Sequence, residues 1–196
     1  EHIDRVLLDQ TRDQPTFHAA RNLMELDAQP CESVLLVEFF DDVTDKVTML
    51  EKRKLGLRRK TLIGEREMNL VWALRKAGLS LLTGCKGNAK PTTGIEDTAV
   101  RPHQLPEYVA ALQGLMRKLG LEASYYGHAA SGLLHVRPVL DLHRSEDVRR
   151  FRQLADEVSA LVLQFKGSLA AEHGVGIART EFMSQQLSEE LLNAIS

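Results

Sequence analysis

Two short segments combine imidazole and carboxylate side chains among glycines. In "YYGHAASGLLHVRP" (125–138) His128 and His135 stand seven residues apart, and in "SLAAEHGVGIAR" (168–179) Glu172 and His173 are adjacent. Two imidazoles and one carboxylate, with further positions left open, make a catalytic zinc set or a facial triad for iron or manganese. The second imidazole of a Glu-His pair adds a base that works near neutral pH. Gly174 and Gly176 behind it let the backbone approach a ligand closely.

The chemistry depends on what positions these groups. A spacing of seven suits one face of a helix, but Gly127 and Gly132 argue for a hairpin instead. If Ala129 to Gly132 form a four-residue loop, His128 lies opposite Leu133. His135 then shares the sheet face of His128, as a diagonal neighbour ~7–8 Å away. A three-residue loop would put the two rings on opposite faces, so a shared ion requires an even loop. Glu172 is the third-ligand candidate, because its Gly-rich loop follows the next helix. His173 is expected to project differently and to stay free as a base. The alternative stays open: histidine pairs in hairpins are commonly structural, and a lone Glu-His dipeptide says little.

Around these segments the pattern predicts a strand, helices, a loop, a helix, two strands, a helix, a loop and a helix. Thr16 after Pro15 reads as a cap for a helix carrying Ala20, Leu23, Met24 and Leu26. "ESVLLVEFF" (32–40) reads as a buried strand, 43–62 as a helix with a basic face, and "REMNLVWALRKAG" (66–78) as a helix ending at Gly78. The Gly-, Pro- and Thr-rich stretch 83–102 reads as a long loop. Helical spacing returns over 104–119, stopped by Gly120; "EASYYGH" (122–128) and "LLHVRPVLDL" (133–142) read as strands. A helix capped by Ser145 runs to Phe165 and closes at Gly167, and a last helix begins near Ala178. The fold class expected is α+β, a ferredoxin-like antiparallel sheet with helices packed on one face. One domain is expected over residues 1–196.

The 196 residues carry 25 Lys and Arg against 27 Asp and Glu, a formal net charge of −2. That balance offers no global field for nucleic acid or acidic lipid. The basic run "EKRKLGLRRK" (51–60) reads as a solvated helix face. Two cysteines, Cys31 and Cys85, exclude a disulfide framework, a thiolate zinc site or an iron–sulfur cluster built within this chain. They suit a reducing, cytoplasmic compartment. No apolar run reaches the eighteen or so residues needed to span a bilayer, since Glu38 interrupts "VLLVEFF" (34–40). The chain starts at Glu1 and ends in "LLNAIS", which reads as a piece of a longer protein.

"GHAASGLLHV" and "GSLAAEHGVGIARTEFM" resemble the two hallmark segments of the C-terminal domain of FAD-linked oxidases of the vanillyl-alcohol-oxidase superfamily. That family includes D-lactate, glycolate and D-2-hydroxyglutarate dehydrogenases. "LLVEFF" (35–40), "VWALRKAGLSLL" (71–82) and "AKPTTGIEDTAV" (89–100) follow in the family's order, so the resemblance spans roughly residues 30 to 185. It implies a substrate-side domain closing over a flavin held by a separate domain of the same polypeptide. His128, His135 and Glu172 would be ligands of a divalent zinc, manganese or iron ion, and His173 the base that takes the hydroxyl proton. Arg75 and Lys90 match the family's substrate-carboxylate residues, although Arg75 also suits a plain surface helix charge.

The usual first motif runs Gly-His-x-Gly-Asp-Gly-Asn-x-His, and here Ala130, Ser131 and Leu133 replace its Gly, Asp and Asn. Arg137 stands where hydroxyglutarate-type relatives carry Asn. It would pair with a second substrate carboxylate or form a structural ion pair. The wording resembles the large members fused to an iron–sulfur domain, whose 4Fe-4S cluster would lie outside this chain. The expectation is an FAD-dependent dehydrogenase of a D-2-hydroxy acid, passing electrons to an iron–sulfur or quinone-linked acceptor. It would be cytoplasmic or peripheral to the inner face of a membrane. The isolated chain would be colourless and inactive. No Gly-x-Gly-x-x-Gly fingerprint supports a nicotinamide enzyme. Two alternatives stay open: a His2Glu metal-dependent hydrolase, and a non-catalytic ferredoxin-like interaction module.

Overall fold

The computed structural model describes residues 1–195 and divides into two compact units, one of His2–Gly84 and the other of Glu1 with Cys85 onward.

The first unit runs β1 (His2–Asp4), α1 (Arg5–Gln10), α2 (His18–Leu23), β2 (Ser33–Leu35), α3 (Val43–Glu51), α4 (Glu65–Lys76) and α5 (Gly78–Thr83). Its two strands form an antiparallel ribbon with Ile3 across from Val34. The Asp4 carboxylate caps α1 by accepting the Leu7 N–H at 3.1 Å. Ile3, Leu7, Leu8, Ala20, Val71, Leu74 and Leu82 are buried in it. Arg21, also buried, is held by the Thr11 hydroxyl at 2.7 Å and by Asp27 at 2.6 Å.

Several sequence expectations fail in this unit. The buried strand 32–40 is a three-residue exposed strand, and Phe40 is 86% exposed. Among the described residues its ladder partner is a three-residue strand, too short to build a second layer over it. The helix predicted over 43–62 stops at Glu51. Beyond it the basic side chains are drawn back to the chain: Arg58 donates to the Met24 carbonyl at 2.9 Å, Arg59 to that of Glu51 at 2.7 Å and Lys60 to that of Leu23 at 2.8 Å. Those carbonyls lie at helix ends, where acceptors lack intrahelical partners. Gly78 does not end the helical run but opens α5, and a Cβ there would strike the Leu7 side chain. Thr16 lies inside a 3-10 turn and caps no helix.

The second unit contains β3 (Lys90–Pro91), β4 (Asp97–Ala99), α6 (Leu105–Leu119), β5 (Ala123–Tyr126), β6 (Leu133–Leu140), α7 (Ser145–Gln164), α8 (Gly176–Arg179) and α9 (Glu189–Ile195). The segment expected as one long loop, 83–102, therefore holds two strands. They are too short to show a period, yet both pair with β6. β6 is the shared strand, antiparallel to β3, β4 and β5. This is the expected α+β class.

The ladder sorts side chains by face. Tyr126 and Asp97 lie across from His135, Ser124 across from Arg137, and Thr98 across from Leu134. Leu134 and Val136 pack into a core with Tyr108, Leu112, Leu115 and Met116 of α6 and Leu154, Val158 and Val162 of α7. Thr98 belongs to that face and accepts the Tyr108 hydroxyl at 2.8 Å. Each fully buried apolar side chain of this layer contributes about 1.5–3 kcal/mol. Because alternate residues point to opposite faces, the same burial that covers Leu134 and Val136 turns His135, Arg137, Asp97 and Tyr126 to the other face. Just past α7, Lys166 lies in the left-handed region (φ 52°), and Gly167 serves a close approach, since a Cβ there would meet the Ala99 carbonyl. Among the described residues no helix is long and apolar enough to cross a membrane.

Candidate active site

The sheet face opposite the one covered by α6 and α7 carries the imidazoles. The β5–β6 register, extended two residues, sets His128 across from Leu133 around a four-residue connection, 129–132. Gly132 closes it at φ 79°, against the Val100 carbonyl, and the Val100 N–H reaches the Gly132 carbonyl at 3.0 Å. The His128 and His135 ring centroids lie 5.7 Å apart. His135 is buried; among the described residues its Nδ1 has no hydrogen-bond partner, and its Nε2 is 3.0 Å from Glu172 Oε1.

Glu172 and His173 sit on the loop after α7 and are about 40% exposed, so packing does not place them. Asp97 does. Fully buried, it accepts backbone N–H groups of three successive residues: Ala171 at 2.8 Å, Glu172 at 3.1 Å and His173 at 2.9 Å. His173 does not project away from the cluster. Its ring stacks on His135, centroids 4.8 Å apart and 3° from parallel, and its Nε2 is 3.5 Å from Glu172 Oε1.

Two rings have a carboxylate behind them. His128 Nδ1 is 2.7 Å from Glu1 Oε1, and His173 Nδ1 is 3.3 Å from Glu96 Oε1. An ionised carboxylate only accepts, so in its uncharged form each of these rings carries its proton on Nδ1. The Nε2 lone pairs of His128 and His173 then face the Glu172 carboxylate, each at 3.5 Å. At His128 and Glu172, acceptor facing acceptor is resolved by a cation between them. A carboxylate behind the ring is also the support that metal-ligating histidines usually have. The 3.5 and 3.0 Å separating His128 and His135 Nε2 from the Glu172 oxygens match neighbouring ligands around an ion whose bonds are about 2.0–2.2 Å long. The donor set therefore fits a divalent metal. Asp97, His135, Glu172 and His173 also offer ligand atoms within 4.8 Å of one another. The Asp97 oxygens, however, are already occupied by backbone N–H groups.

Burial, reinforced by the neighbouring His173, His128 and Arg137, holds the His135 imidazole below the usual histidine range, against the opposing pull of Glu172. Burial pushes the Glu96 carboxyl up, but the Gly94 N–H, Arg179 and His173 more than offset it, leaving it below the usual range. Arg179 is buried, with Nη1 3.4 Å from Glu96 Oε2. It also donates to the carbonyls of Gly174 at 2.6 Å and Val175 at 3.1 Å.

Arg137 is buried on the same face, two residues beyond His135. Its Nε donates to the Tyr126 hydroxyl at 3.3 Å. Lys90 is exposed on β3 and donates to the Cys85 carbonyl, outside the histidine cluster. Arg75 lies in the other unit, on α4, half-buried. Sequence reading missed Glu96, Asp97 and Arg179. One signal was available: an acid pair between apolar Ile95 and Val100 marks charge in a buried segment, which must find donors.

The whole chain, residues 1–196, matches the family described as FAD linked oxidases, C-terminal domain. It is similar to the D-2-hydroxyglutarate dehydrogenase of Haemophilus influenzae (30% identical, 97% of this chain, 20% of the relative) and to that of Escherichia coli (31%, 97% and 20%). It is also similar to the glycolate oxidase subunit GlcD of Bacillus subtilis (25% identical, 93% of this chain, 40% of the relative). The chain spans about a fifth of the length of the first two relatives.

Proposed function

Because the chain belongs to the family of FAD linked oxidase C-terminal domains, we propose that it is the substrate side of an FAD-dependent dehydrogenase converting a D-2-hydroxy acid to the 2-oxo acid. The observation that carries this is the convergence of His128, His135 and His173 Nε2 atoms on the Glu172 carboxylate. His128, His135 and Glu172 would hold a divalent ion, zinc, manganese or iron. Such an ion supplies Lewis acidity that lowers the pKa of the substrate hydroxyl. Flavin, bound by another part of the same polypeptide, supplies the hydride acceptor.

The chain's own residues do the rest. His173, with its Nδ1–H on Glu96, presents Nε2 as the atom that takes the hydroxyl proton. His135, held below the usual range, stays neutral at pH 7 and keeps its lone pair available. Arg137 binds a substrate carboxylate. Its guanidinium is buried with a neutral hydroxyl as its hydrogen-bond partner, and a buried charge calls for a counter-ion. This favours a second substrate carboxylate over the structural ion pair. Lys90 is assigned the carboxylate beside the hydroxyl, on the family resemblance. Electrons would pass on to an iron–sulfur or quinone-linked acceptor, in the cytoplasm or at the inner face of a membrane. The half-buried free thiols of Cys31 and Cys85 suit a reducing compartment.

Anaerobic mixing of the full-length, metal-replete protein with D- and L-2-hydroxy acids tests this reading. Bleaching of the flavin band by a D-enantiomer is the expected result. No bleaching by lactate, glycolate, 2-hydroxyglutarate or malate would overturn it.

A further inference from the structure

We propose that the acid pair Glu96–Asp97 is the positioning device of this site. Asp97 seats the loop that carries Glu172 and His173, and Glu96 sets the ring of His173 with Nε2 toward the reacting centre. The proposal rests on the dehydrogenase reading for the role of His173, but the seating of the loop stands apart from any substrate.

The Glu172 and His173 side chains are about 40% exposed, so their position depends on how the loop backbone is held. Three successive N–H groups can meet one carboxylate only if the backbone of 171–173 curls round it, and Asp97 draws all three within 3.1 Å. The Ala171 N–H lies 3.0 Å from the Asp97 backbone carbonyl as well. The negative charge of Asp97 thus sits in a nest of backbone dipoles. Because Asp97 is directly across from His135 in the ladder, the same residue fixes the loop relative to a proposed ligand.

Glu96 completes the arrangement from the next position along the chain. Its Oε2 is anchored by the Gly94 N–H at 2.5 Å and by Arg179 at 3.4 Å, leaving Oε1 for His173 Nδ1 at 3.3 Å. Arg179 in turn grips the carbonyls of Gly94 and Gly174, at 3.3 and 2.6 Å, so the strand entry and the far end of the loop share one clamp. A glutamine at 96 can offer its amide N–H to His173 Nδ1 instead of accepting from it. That would move the ring proton to Nε2, the atom that must be free.

The test uses the full-length protein and three variants, Glu96→Gln, Glu96→Asp and Asp97→Asn, each checked for folding by circular dichroism. Glu96→Gln is expected to lower kcat ~10–100-fold with KM and metal content unchanged. Glu96→Asp, which keeps the acceptor, recovers part of the loss. Asp97→Asn is expected to weaken metal binding ~10–100-fold and to speed hydrogen exchange in the peptide 168–179. Wild-type kcat in Glu96→Gln, or a loss equal in both Glu96 variants, overturns the role of Glu96. Wild-type exchange rates over 168–179 in folded Asp97→Asn overturn the role of Asp97. A wild-type protein that reduces no flavin with any hydroxy acid defeats the dehydrogenase reading instead, and the exchange measurement still decides on Asp97.

Discussion

His135 in β6 and His173 in the loop beyond α7 lie ring upon ring, 4.8 Å between centroids and 3° from parallel. The stack puts a buried imidazole against a solvent-facing one, with Glu172 between their Nε2 atoms at 3.0 and 3.5 Å. Two rings so alike in position differ in environment. One is buried with its Nδ1 unpartnered among the described residues; the other has a carboxylate at its Nδ1. That difference separates the two roles proposed for them.

Elemental analysis of full-length protein distinguishes ligand from base. His135→Ala and Glu172→Ala are expected to lose the metal. His173→Asn is expected to keep it while flavin reduction slows by ~100-fold or more, the contribution typical of a positioned base. Equal metal content in wild type and His135→Ala would remove the proposed centre.

The lowered His135 pKa has a consequence for stability. Unfolded chain, with its histidine near 6.5, binds the proton more readily than the folded state does. The contribution of this group is therefore fully present above about pH 6.5 and is lost as pH falls from there through the lower folded value. Thermal midpoints of metal-free protein between pH 7.5 and 5 should fall more steeply for wild type than for His135→Ala. Parallel slopes would show that burial of this ring is not what couples stability to pH.

Arg137→Met tests substrate choice. Loss of a charge-assisted contact of about 1.5–3 kcal/mol should raise KM for a dicarboxylic hydroxy acid ~10–100-fold and leave a monocarboxylic one nearly unchanged. A matching rise for both would assign Arg137 to the general support of the sheet face.

Two glycines make a matched pair for the loops. Gly132 and Gly174 both have positive φ, 79° and 72°, but a Cβ at 132 meets the Val100 carbonyl, while at 174 no described residue lies within 4 Å. Gly174→Ala should cost about 1–2 kcal/mol of strain. Gly132→Ala should cost more and displace His128, lowering both the thermal midpoint and metal affinity. Equal midpoints for the two variants would contradict the close approach at Gly132.

What could be read along the chain was periodic. α6 and α7 are long enough for their apolar stripes to appear in the sequence, and Gly120 marks its helix end at φ 64°. The strands on either side of Ala129–Gly132 were legible because β6 is flanked by glycine and rich in apolar residues. Short elements gave no such period: β3 and β4 together cover five residues, two and three. The apolar run 34–40 misled for the opposite reason. Leu35, Val37 and Phe40 have the composition of a core strand but are exposed in their unit.

The sequence by itself determined the donors: two histidines at a spacing compatible with one sheet face, and an acid–imidazole pair on a glycine-bracketed loop. Tertiary structure decided their meeting. Pairing of Asp97 with His135, and capture of three loop N–H groups by the same Asp97, join β4, β6 and a loop some 75 residues further along the chain. Backbone hydrogen bonds of that kind leave no trace in residue type, since every residue but proline offers the same N–H. The partners of Glu96 and Asp97 were therefore invisible until the chain had folded around them.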